Sequence, residues 1–419
     1  MVRKLKHTEI GDIPVDWELQ TFDETFRVIS NNTLSRENLN NRGGAVRNIH
    51  YGDILTKFPE VLDCSEDEIP FVNDLSLLSS STQLLQDGDI VVADTAEDET
   101  VGKVIEVQNL GDSKLVAGLH TIPCRVKKGD FAPGWLGYYM NSDLFHNQIL
   151  PYITGIKVSS ISKGAISETL ILVPPFDEQE KIVQSLNKIQ LLMTAETKVV
   201  NKIKLVKNGC LSKMFPQKDD TVPEIRLPGF TEAWEQRKLG EIGSVSMCRR
   251  IFKEQTSENG EIPFYKIGTF GGEADAFISR ELFEEYKAKY QYPKKGDILI
   301  SASGSIGRTV VFTGKNEYFQ DSNIVWLNHD KHLDNSFLKC FYSIVKWAGI
   351  EGSTIKRLYN DNILNTAITL PSVEEQQKIG AYFENLDNLI TLHQRKCDKY
   401  SSIKKGMMSD LLTGKIRLV

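Results

Sequence analysis

A glycine-rich segment in the second half of the chain, Gly304–Thr309, has the residue types of a loop that binds phosphate. A nucleotide-binding P-loop needs the spacing G-x-x-x-x-G-K-[ST], so that backbone amides cradle the phosphates and a lysine reaches them. Here the spacing between glycines is shorter, and Arg308 replaces the lysine. We therefore expect no ATP binding at this segment.

The segment Pro174-Pro175-Phe176 matches the last three positions of the Asn/Asp-Pro-Pro-Tyr/Phe signature of amino methyltransferases. In that signature the first side chain holds the target amine, and Val173 has no group that could do so. We interpret the segment as a turn that leads into a helix. Metalloprotease and serine-hydrolase motifs are also missing from the sequence, as is a convincing metal cluster. The chain is therefore not expected to be an enzyme by itself.

An internal repeat organises the sequence. The segment 174–182 reads PPFDEQEKI and the segment 371–379 reads PSVEEQQKI, an offset of 197 residues that also relates Lys207 to Lys404 and Gly209 to Gly406. Further upstream the similarity continues with changing offsets, for example between residues 88–92 and 296–300. The order is a variable globular segment, a constant helix, a second variable segment and a second constant helix.

The two constant segments are predicted to be long helices. Each follows a proline and carries a pattern typical of a capping box, Asp177 with Glu180 and Ser372 with Glu375. Neither has an internal proline, and we expect the first to stop at Pro216 and the second near Gly414. Helices of about 36 residues would each span ~54 Å at ~1.5 Å per residue.

A 4-3 spacing of apolar residues runs along both helices, as in a coiled coil. In the first helix the seam is Ile182, Leu186, Ile189, Met193, Glu196, Val200, Ile203, Lys207, Cys210 and Met214. In the second it is Ile379, Phe383, Leu386, Ile390, His393, Cys397, Tyr400, Lys404, Met407 and Leu411. The polar breaks fall at the same places in both seams. They are either solvated edge positions or devices that fix the register of the coiled coil.

Antiparallel pairing of the two helices is the preferred arrangement, because it places the globular segments at opposite ends. The alternative is that each helix packs on its own domain. We divide the chain into residues 1–176, 177–216, 217–373 and 374–419: a recognition domain, the central helix, a second recognition domain and the C-terminal helix.

Composition and charge describe a globular protein of more than one domain. The chain has 419 residues, 40% of them hydrophobic, and a net charge of −6. Residues 1–176 carry 15 basic and 25 acidic side chains, whereas residues 217–373 carry 20 and 21. We find neither a signal peptide nor a membrane helix, and the six cysteines form no C-x-x-C pair. We therefore expect a reduced, cytoplasmic protein without a structural metal.

Taken together, these features resemble the specificity (S) subunit of type I restriction-modification systems. The resemblance rests on the two Pro-x-x-[DE]-E-Q-x-K-I helix openings, on the segments 227–230 (LPGF) and 234–240 (WEQRKLG), and on the closing segment 411–414 (LLTG). It covers nearly the whole chain. It implies an α+β fold: two α/β target-recognition domains separated by two long conserved helices, which form an antiparallel coiled coil with a pseudo-two-fold internal repeat.

The resemblance also implies a function and a set of partners. Each recognition domain would read one half of a split, asymmetric site in double-stranded DNA, and the helices would set the spacer and dock two modification subunits. No cofactor is implied for this chain. S-adenosylmethionine would bind to the modification subunits, and ATP and Mg²⁺ to two restriction subunits where these are present. A flipped adenine would be methylated in the pocket of another subunit, so this chain would need only to bind the DNA and recognise its sequence.

DNA-contacting residues are sought among polar side chains that can reach base edges and cations that can reach phosphates. In the second domain the candidates lie after two predicted strands, in the basic cluster near residue 250 and before the last strand. They are Arg249, Arg250, Tyr265, Lys266, Thr269, Ser301, Ser303, Ser305, Arg308, Thr354, Lys356 and Arg357. A hairpin turn and a solvated basic surface are the alternatives.

In the first domain the loop that corresponds to residues 301–308 is acidic, residues 93–103, and of it only Lys103 is a candidate. Better candidates lie in the segments 47–51 and 118–121 and in the turn near Gly155. They are Arg47, Asn48, His50, Tyr51, His120, Thr121 and Lys157. A structural hydrogen-bonding role is the alternative for each histidine. The competing functions are a protein-interaction scaffold that binds no DNA and a stand-alone nuclease or transferase.

Overall fold

The computed structural model describes residues 4–155, 157–217, 220–347 and 357–419. Two compact units are present, Met1–Glu196 with Lys396–Val419 (unit 1) and Thr197–Arg395 (unit 2). Each unit therefore contains a part of both long helices. The α+β class expected from the sequence is confirmed.

Unit 1 contains short strands and helices before the first long helix. Its strands are β1 (Leu5–Thr8), β2 (Gly11–Pro14), β3 (Glu18–Thr21), β4 (Phe26–Val28), β5 (Leu39–Asn40), β6 (Arg47–Ile49), β7 (Val61–Asp63), β8 (Phe71–Val72), β9 (Ile90–Ala93), β10 (Thr95–Ala96), β11 (Val104–Gln108), β12 (Leu115–Ala117), β13 (Thr121–Val126), β14 (Ser159–Ser160) and β15 (Leu170–Val173). Its short helices are α1 (Phe22–Thr25), α2 (Tyr51–Thr56), α3 (Trp135–Tyr139), α4 (Asp143–Ile149) and α5 (Lys163–Ser167). The two larger sheets have the orders β4-β13-β9-β11-β7 and β12-β6-β8-β5.

The long helices are α6 (Phe176–Lys213) and α11 (Val373–Leu411). Between them, unit 2 has the strands β16 (Glu235–Lys238), β17 (Gly243–Met247), β18 (Ile262–Tyr265), β19 (Phe277–Ile278), β20 (Ile298–Ser301), β21 (Thr309–Val311), β22 (Tyr318–Phe319), β23 (Ile324–His329) and β24 (Ala367–Leu370). Its helices are α7 (Leu239–Ile242), α8 (Arg280–Lys289), α9 (Asn335–Ile344) and α10 (Asn360–Leu364). Its larger sheets have the orders β17-β23-β20-β21 and β19-β18-β22.

One central strand in each unit is buried on both faces and separates two hydrophobic cores. In β9, Ile90 and Val92 face one core and Val91 faces the other. In β20, Ile298 and Ile300 face one core and Leu299 the other. This explains why both strands are continuous apolar runs rather than alternating ones. The repeat thus extends into the sheets of both units.

The long helices complete one core of each unit. Ile182 and Leu186 from the start of α6 and Leu411 from the end of α11 lie in the core of unit 1. Their repeat equivalents, Ile379, Phe383 and Met214, lie in the core of unit 2. Full burial of one such side chain contributes roughly 1.5–3 kcal/mol. Each core therefore needs the start of one long helix and the end of the other, so the helices both pair with each other and pack on the domains.

The coiled-coil seam is confirmed by burial. None of its twenty positions is exposed, and the neighbouring positions are mostly exposed. In unit 1, Lys404 of α11 donates to Gln190 of α6 at 2.8 Å and to the carboxylate of Glu60. In unit 2 the repeat-equivalent pair occurs, because Lys207 of α6 donates to Asp387 of α11. These contacts establish antiparallel pairing within each unit, and they show that the seam lysines bind partners at a fixed register.

A buried glutamate at the start of each long helix is bound by an arginine that follows the end of the other. In unit 2, Arg226 donates to both carboxylate oxygens of Glu375, at 2.8 and 2.7 Å. In unit 1, Arg417 donates to both oxygens of Glu178, at 2.7 Å each. The glutamates are repeat equivalents and their side chains are only 1% and 2% exposed. We call each contact an arginine clamp.

The two clamps differ in their further partners. Arg417 also donates to both carboxylate oxygens of Asp16, and this hydrogen bonding lowers the pKa of Asp16. The indole of Trp17 donates to Glu178 at 2.9 Å. Trp234 is the repeat equivalent of Trp17, but its indole nitrogen has no hydrogen-bond partner in the described part of the chain. It packs instead against the rings of Phe215 and Phe337, with centroids 6.0 and 5.8 Å away.

The glutamine that follows each clamped glutamate ties the helix to its domain. Gln179 accepts from the backbone of Ala132 at 3.0 Å and donates to the carbonyl of Pro174 at 2.8 Å. Gln376 repeats this, accepting from Asp334 at 2.8 Å and donating to Pro371 at 3.0 Å. In the repeated Pro-x-x-[DE]-E-Q motif, the glutamate therefore positions the helix through its ion pair and the glutamine through its amide hydrogen bonds.

The capping boxes expected from the sequence are wrong in detail. Helix α6 already begins at Phe176, so Asp177 lies inside its first turn and does not precede it. At α11, Ser372 does accept from the backbone nitrogen of Glu375 at 3.3 Å. The carboxylate of Glu375, however, binds Arg226 instead of returning to the cap. The Glu375 side chain forms a tertiary ion pair with Arg226, so it does not complete the capping box that the local motif predicts.

We expect Arg226→Ala to destabilise unit 2 by about 3–5 kcal/mol, because it leaves the buried Glu375 charge without its partner. The measurement is urea denaturation followed by tryptophan fluorescence. Arg237→Ala is the matched control, since its contacts with Glu235 and Glu241 are 3.8 and 3.5 Å long and solvent-exposed. Equal stability losses in the two variants would contradict the clamp's role.

Acid should weaken unit 2 through Asp387. Burial alone would raise the pKa of Asp387, but hydrogen bonds from Lys207 and Lys339 outweigh it and hold the pKa below the ordinary value of 3.8. A depressed carboxyl pKa contributes stability that is present above 3.8 and lost as the pH falls through the folded-state value. Asp387→Asn should therefore flatten the dependence of the denaturation midpoint on pH below about pH 4. An unchanged slope would contradict this.

Candidate nucleic-acid interface

The loops after β9 and β20 are held by the same backbone hydrogen bonds. In unit 1, Asp94 N donates to His120 O at 3.1 Å, and Ile161 N donates to Asp94 O at 2.9 Å. In unit 2, Ala302 N donates to Asn323 O at 2.7 Å, and Leu358 N donates to Ala302 O at 2.8 Å. The two loops therefore occupy equivalent places in the two units.

Further pairs extend the equivalence. Thr95 pairs with Ser160 in unit 1, and Ser303 pairs with Arg357 in unit 2. The ends of β6 and β18 also correspond, because Gly118 N donates to Ile49 O at 2.8 Å and Gln320 N donates to Tyr265 O at 2.9 Å. Position by position, His50 then corresponds to Lys266, Tyr51 to Ile267 and His120 to Asn323.

In unit 1 these elements bring a group of polar and aromatic side chains together, His50, Tyr51, Asp94, Thr95 and His120, which we call cluster 1. The rings of His50 and Tyr51 lie 4.7 Å apart, and those of Tyr51 and His120 lie 5.3 Å apart. The Nδ1 atom of His120 is 3.2 Å from the Thr95 hydroxyl and 3.4 Å from Asp94 Oδ1. Three of the residues selected from the sequence thus meet at one place.

The two histidines of cluster 1 differ in their surroundings. His50 is buried, and its Nδ1 accepts from the backbone nitrogen of Gly52 at 3.1 Å. Burial first, and then the charge of Arg36, lower the pKa of His50, which favours a neutral ring with the proton on Nε2. His120 is exposed and has a left-handed backbone with φ of 55°. Non-glycine residues adopt that conformation only where surrounding contacts hold it, and such positions concentrate at functional sites.

In unit 2 the equivalents of His50, Thr95 and His120 are Lys266, Ser303 and Asn323. Together with Thr269, which hydrogen-bonds to Lys266, and Arg357, which pairs with Ser303, we call them cluster 2. The Ser303 hydroxyl donates to Asn323 Oδ1 at 2.8 Å, which repeats the Thr95–His120 contact with other side chains. Lys266 pairs with Asp275 at 2.8 Å, and the guanidinium of Arg357 lies 5.7 Å from the ring of Tyr359. The cluster presents cations and an amide where cluster 1 presents rings and a carboxylate.

The loop Ser301–Arg308 is a hairpin turn between β20 and β21, which run antiparallel. Gly307 N donates to Ser301 O at 3.0 Å and closes the turn. Arg308 is exposed and donates to Phe270 O at 2.8 Å, and Ser305 is exposed at the tip. A P-loop leads from a strand into a helix, so the topology agrees with the expectation that no nucleotide binds here.

Burial removes several of the sequence-derived candidates. Asn48, Thr121 and Ser301 are at most 2% exposed, so their side chains have no path to a DNA base. Asn48 Oδ1 accepts from Asn32 at 2.8 Å, and the Thr121 hydroxyl donates to Gly118 O at 2.5 Å. These three side chains hydrogen-bond within the domains, which argues against a contact with DNA. Ser303, 7% exposed, is retained only as a support for Asn323.

Two cations of unit 1 are also engaged within the domain. Arg47 donates to Cys64 O at 2.6 Å and lies over the ring of Phe71. Lys103 donates to the carbonyls of Leu55 and Phe58, and burial lowers its pKa. Both side chains are half-buried in these contacts. Hydrogen bonds to carbonyl groups leave them little freedom to follow a phosphate backbone.

The remaining candidates contact neighbouring rings, are exposed, or fall outside the described residues. Arg249 lies over the ring of Tyr290 and Arg250 over that of Phe252. Tyr265 stacks on Phe319 with centroids 5.8 Å apart. Lys157 is exposed at the turn before β14. Thr354 and Lys356 fall outside the residues that the structure describes.

Sequence reasoning missed Asn323 and the supporting pair Asp94 and Thr95. Asn323 and His120 hold equivalent places in the repeat, directly before β23 and β13. Without the pairing of strands that position could not be aligned, since the two loops differ in sequence. The chemistry of both clusters is that of hydrogen-bond donors, acceptors and aromatic faces, which suits recognition of polar edges.

Residues 4–155, 157–217, 220–347 and 357–419 contain no group of three or more His, Cys, Asp or Glu side chains arranged to hold a metal ion. None of their helices combines the length and apolar character that crossing a membrane requires.

Comparison with known proteins places the chain among restriction-modification proteins. The family model for the type I restriction modification DNA specificity domain matches residues 14–205 and 231–399. A putative type I restriction enzyme specificity subunit of Haemophilus influenzae is 44% identical over 252 residues, which are 59% of this chain and 64% of that relative. The chain thus spans less than two thirds of the length of that relative.

Two similarities cover the full length. A putative type I restriction enzyme specificity subunit of Methanocaldococcus jannaschii is 25% identical over 99% of this chain and 96% of its own length. The crystal structure of a type I restriction-modification S subunit from M. genitalium has the same fold, with a TM-score of 0.59, 15% identity, and coverage of 98% of this chain and 99% of that one. With its doubled domain match and its shared fold, this chain belongs to the family of DNA specificity subunits of type I restriction-modification systems.

Proposed function

We propose that this chain selects the DNA target of a type I restriction-modification complex. Each unit reads one half of a bipartite, asymmetric site, and the long helices set the spacer between the halves. Half-sites about one DNA turn apart are ~34–36 Å from centre to centre. Helices of about 36 residues span ~54 Å at ~1.5 Å per residue. This length suits that separation once the size of the recognition domains is allowed for.

One observation carries this proposal. Clusters 1 and 2 occupy equivalent positions on equivalent backbone hydrogen bonds, yet their side chains differ at each position compared: His50 against Lys266, and His120 against Asn323. Sequence readout depends on the donors and acceptors that side chains present to base edges. Two equivalent frames with different polar side chains suit the recognition of two unlike half-sites.

The chain acts as a non-catalytic subunit in this proposal. Adenine methylation would occur in two modification subunits that bind S-adenosylmethionine, in the cytoplasm. Restriction subunits that use ATP and Mg²⁺ would join where the system has them. The chain contributes the grip on DNA, and a flipped adenine enters a partner's pocket.

Exposed apolar side chains on the long helices suit the docking of modification subunits. Leu192 in unit 1 and Leu389 in unit 2 are repeat equivalents and are 45% and 43% exposed. Ile403 and Val206 form a second equivalent pair, 38% and 45% exposed. Because Gln190 contacts Lys404, Leu192 and Ile403 lie at the same level of the paired helices. The same surface occurs once in each unit, which favours two copies of one partner.

The alternative is a protein-interaction scaffold that binds no DNA. The exposed leucines alone would suit it equally well. The polar clusters favour the DNA-reading function, because a scaffold has no need of an exposed histidine with a left-handed backbone held edge to face against a tyrosine. Absence of salt-dependent DNA binding by the purified complex would favour the scaffold.

Replacing the first recognition domain, residues 1–176, by that of a relative should change one half of the methylated site and leave the other. The measurement is sequencing of N6-methyladenine in cells that carry the chain with its modification subunit. Replacing residues 217–373 instead is the matched control, and it should change the other half. Retention of the original site after the first replacement would contradict the proposal, and methylation by the chain alone would show it to be an enzyme.

Leu192→Glu should lower the number of bound modification subunits from two to one, and the double variant with Leu389→Glu should bind neither. A leucine buried at an interface contributes ~1.5–3 kcal/mol, so each site should weaken at least tenfold. The mass of the purified complex measures the outcome. Leu205→Glu is the control, because Leu205 is 72% exposed but its repeat equivalent is Ser402. Retention of two subunits by the double variant would refute this docking surface.

A further inference from the structure

His120 and Asn323 occupy equivalent positions in the two units, and their free hydrogen-bonding groups differ: an acceptor on His120 and a donor on Asn323. Each lies directly before a strand, and its backbone oxygen accepts a hydrogen bond from the backbone nitrogen of the opposite loop, Asp94 in unit 1 and Ala302 in unit 2. A hydroxyl supports each side chain from the same side, Thr95 at 3.2 Å from His120 Nδ1 and Ser303 at 2.8 Å from Asn323 Oδ1.

The polarity of His120 follows from its neighbours. The Thr95 hydroxyl has one proton, and it donates this proton to Asp94 Oδ1 at 2.8 Å. Thr95 can therefore only accept from the ring, so Nδ1 of His120 carries the proton. Asp94 Oδ1, 3.4 Å from the same nitrogen, favours the same tautomer. In the neutral ring Nε2 is then an acceptor, on a side chain that is 44% exposed.

The polarity of Asn323 is the reverse. Its Oδ1 is occupied by the Ser303 hydroxyl, which leaves the Nδ2 amide with two protons to donate. The side chain is half-buried, so the amide is held rather than free to rotate. Ser322, the residue before it, has a left-handed backbone with φ of 50°. In unit 1 His120 itself has that conformation. Both turns therefore contain a left-handed residue, but in unit 2 it lies one position earlier than in unit 1.

Ring contacts further restrict His120. Tyr51 meets it edge to face at 5.3 Å, and the ring of His50 lies 4.7 Å from that of Tyr51. A side chain whose orientation is fixed by packing and hydrogen bonds loses little entropy when it binds. An exposed group prepared in this way suits direct contact with a ligand.

We propose, building on the DNA-reading function above, that His120 and Asn323 are equivalent base-contacting residues of opposite polarity. His120 accepts from an exocyclic amine, adenine N6 or cytosine N4. Asn323 donates to guanine O6 or to thymine O4. At this position the half-site read by unit 1 contains A or C on the contacted strand, and the half-site read by unit 2 contains G or T.

The test uses the chain assembled with its modification subunit and a set of duplexes in which each position of the methylated site is varied. His120→Asn supplies a donor in unit 1, and Asn323→Asp supplies only acceptors in unit 2. Each variant should change the preferred base at one position of its own half-site, with at least a tenfold change in the ratio of methylation between amine-bearing and carbonyl-bearing bases. The other half-site should be unaffected.

Two matched controls lie on the same units. His7→Asn changes an exposed histidine on β1, and Asn328→Asp changes an exposed asparagine on β23, the strand that follows Asn323. Neither should alter the ratio between bases. Because the readout is a ratio, a general loss of affinity from the added carboxylate does not imitate the result. His120→Gln and Asn323→Ser replace any variant that fails to assemble, and a changed ratio is again expected.

The outcomes separate the two proposals. If the unaltered complex methylates no bipartite site, the proposed function is wrong. If it methylates such a site and the ratios are unchanged in the His120 and Asn323 variants, the function stands and these residues are structural hydrogen-bonding groups only. A shift that appears in both half-sites of one variant would also overturn the assignment of one residue to one half.

Discussion

The arginine clamp is the interaction on which the rest of the structure depends. A carboxylate buried to 1–2% exposure, such as Glu375 or Glu178, is tolerated only when a partner compensates its charge. In both units that partner follows the end of the other long helix. The start of one helix is therefore stable only where the end of the other is present. Antiparallel pairing follows from this requirement, as does the construction of each unit from segments far apart in sequence.

The neighbouring contacts extend the clamp into a frame. Gln179 and Gln376 bind the loops of their domains and the carbonyl of the preceding proline, and Lys404 and Lys207 bind across the seam. These polar contacts have defined partners and distances, so they select one register among the many that apolar seam residues would allow. Apolar burial supplies most of the stability, and the buried polar groups supply the uniqueness of the arrangement.

The loops that this frame supports have equivalent backbone hydrogen bonds in the two units but different side chains. The hydrogen bonds that hold Asp94 and Ala302 are equivalent, but the residues that they present differ. Loops supported by a rigid scaffold can vary in sequence at little cost in stability, which is why recognition residues concentrate there. Membership of the specificity-subunit family and the divergence between clusters 1 and 2 are consistent with one frame that serves two readers.

Much of the frame could be predicted from the sequence. The 4-3 spacing predicted a seam, and none of its twenty positions is exposed. The prediction of the recognition residues was less complete. His50, Tyr51 and His120 do meet, but Asn48 and Thr121 are buried, and Asn323 was overlooked because the loops before β13 and β23 cannot be aligned without the strand pairing. The capping box at Glu375 was wrong because Arg226 competes for the carboxylate.

The sequence by itself determined the repeat, the two long helices and their seam, because these depend on offset and periodicity, which are local or internal to the chain. The tertiary structure decided which polar groups are buried and what each one binds. Arg417 and Glu178 are 239 residues apart, and no local pattern specifies that they pair. Exposure and polarity at His120 likewise depend on Thr95, Asp94 and Tyr51, which come from two other segments. Burial is a property of the assembled contacts, so the hydrogen-bonding group that each unit presents could be assigned only after the strands were paired.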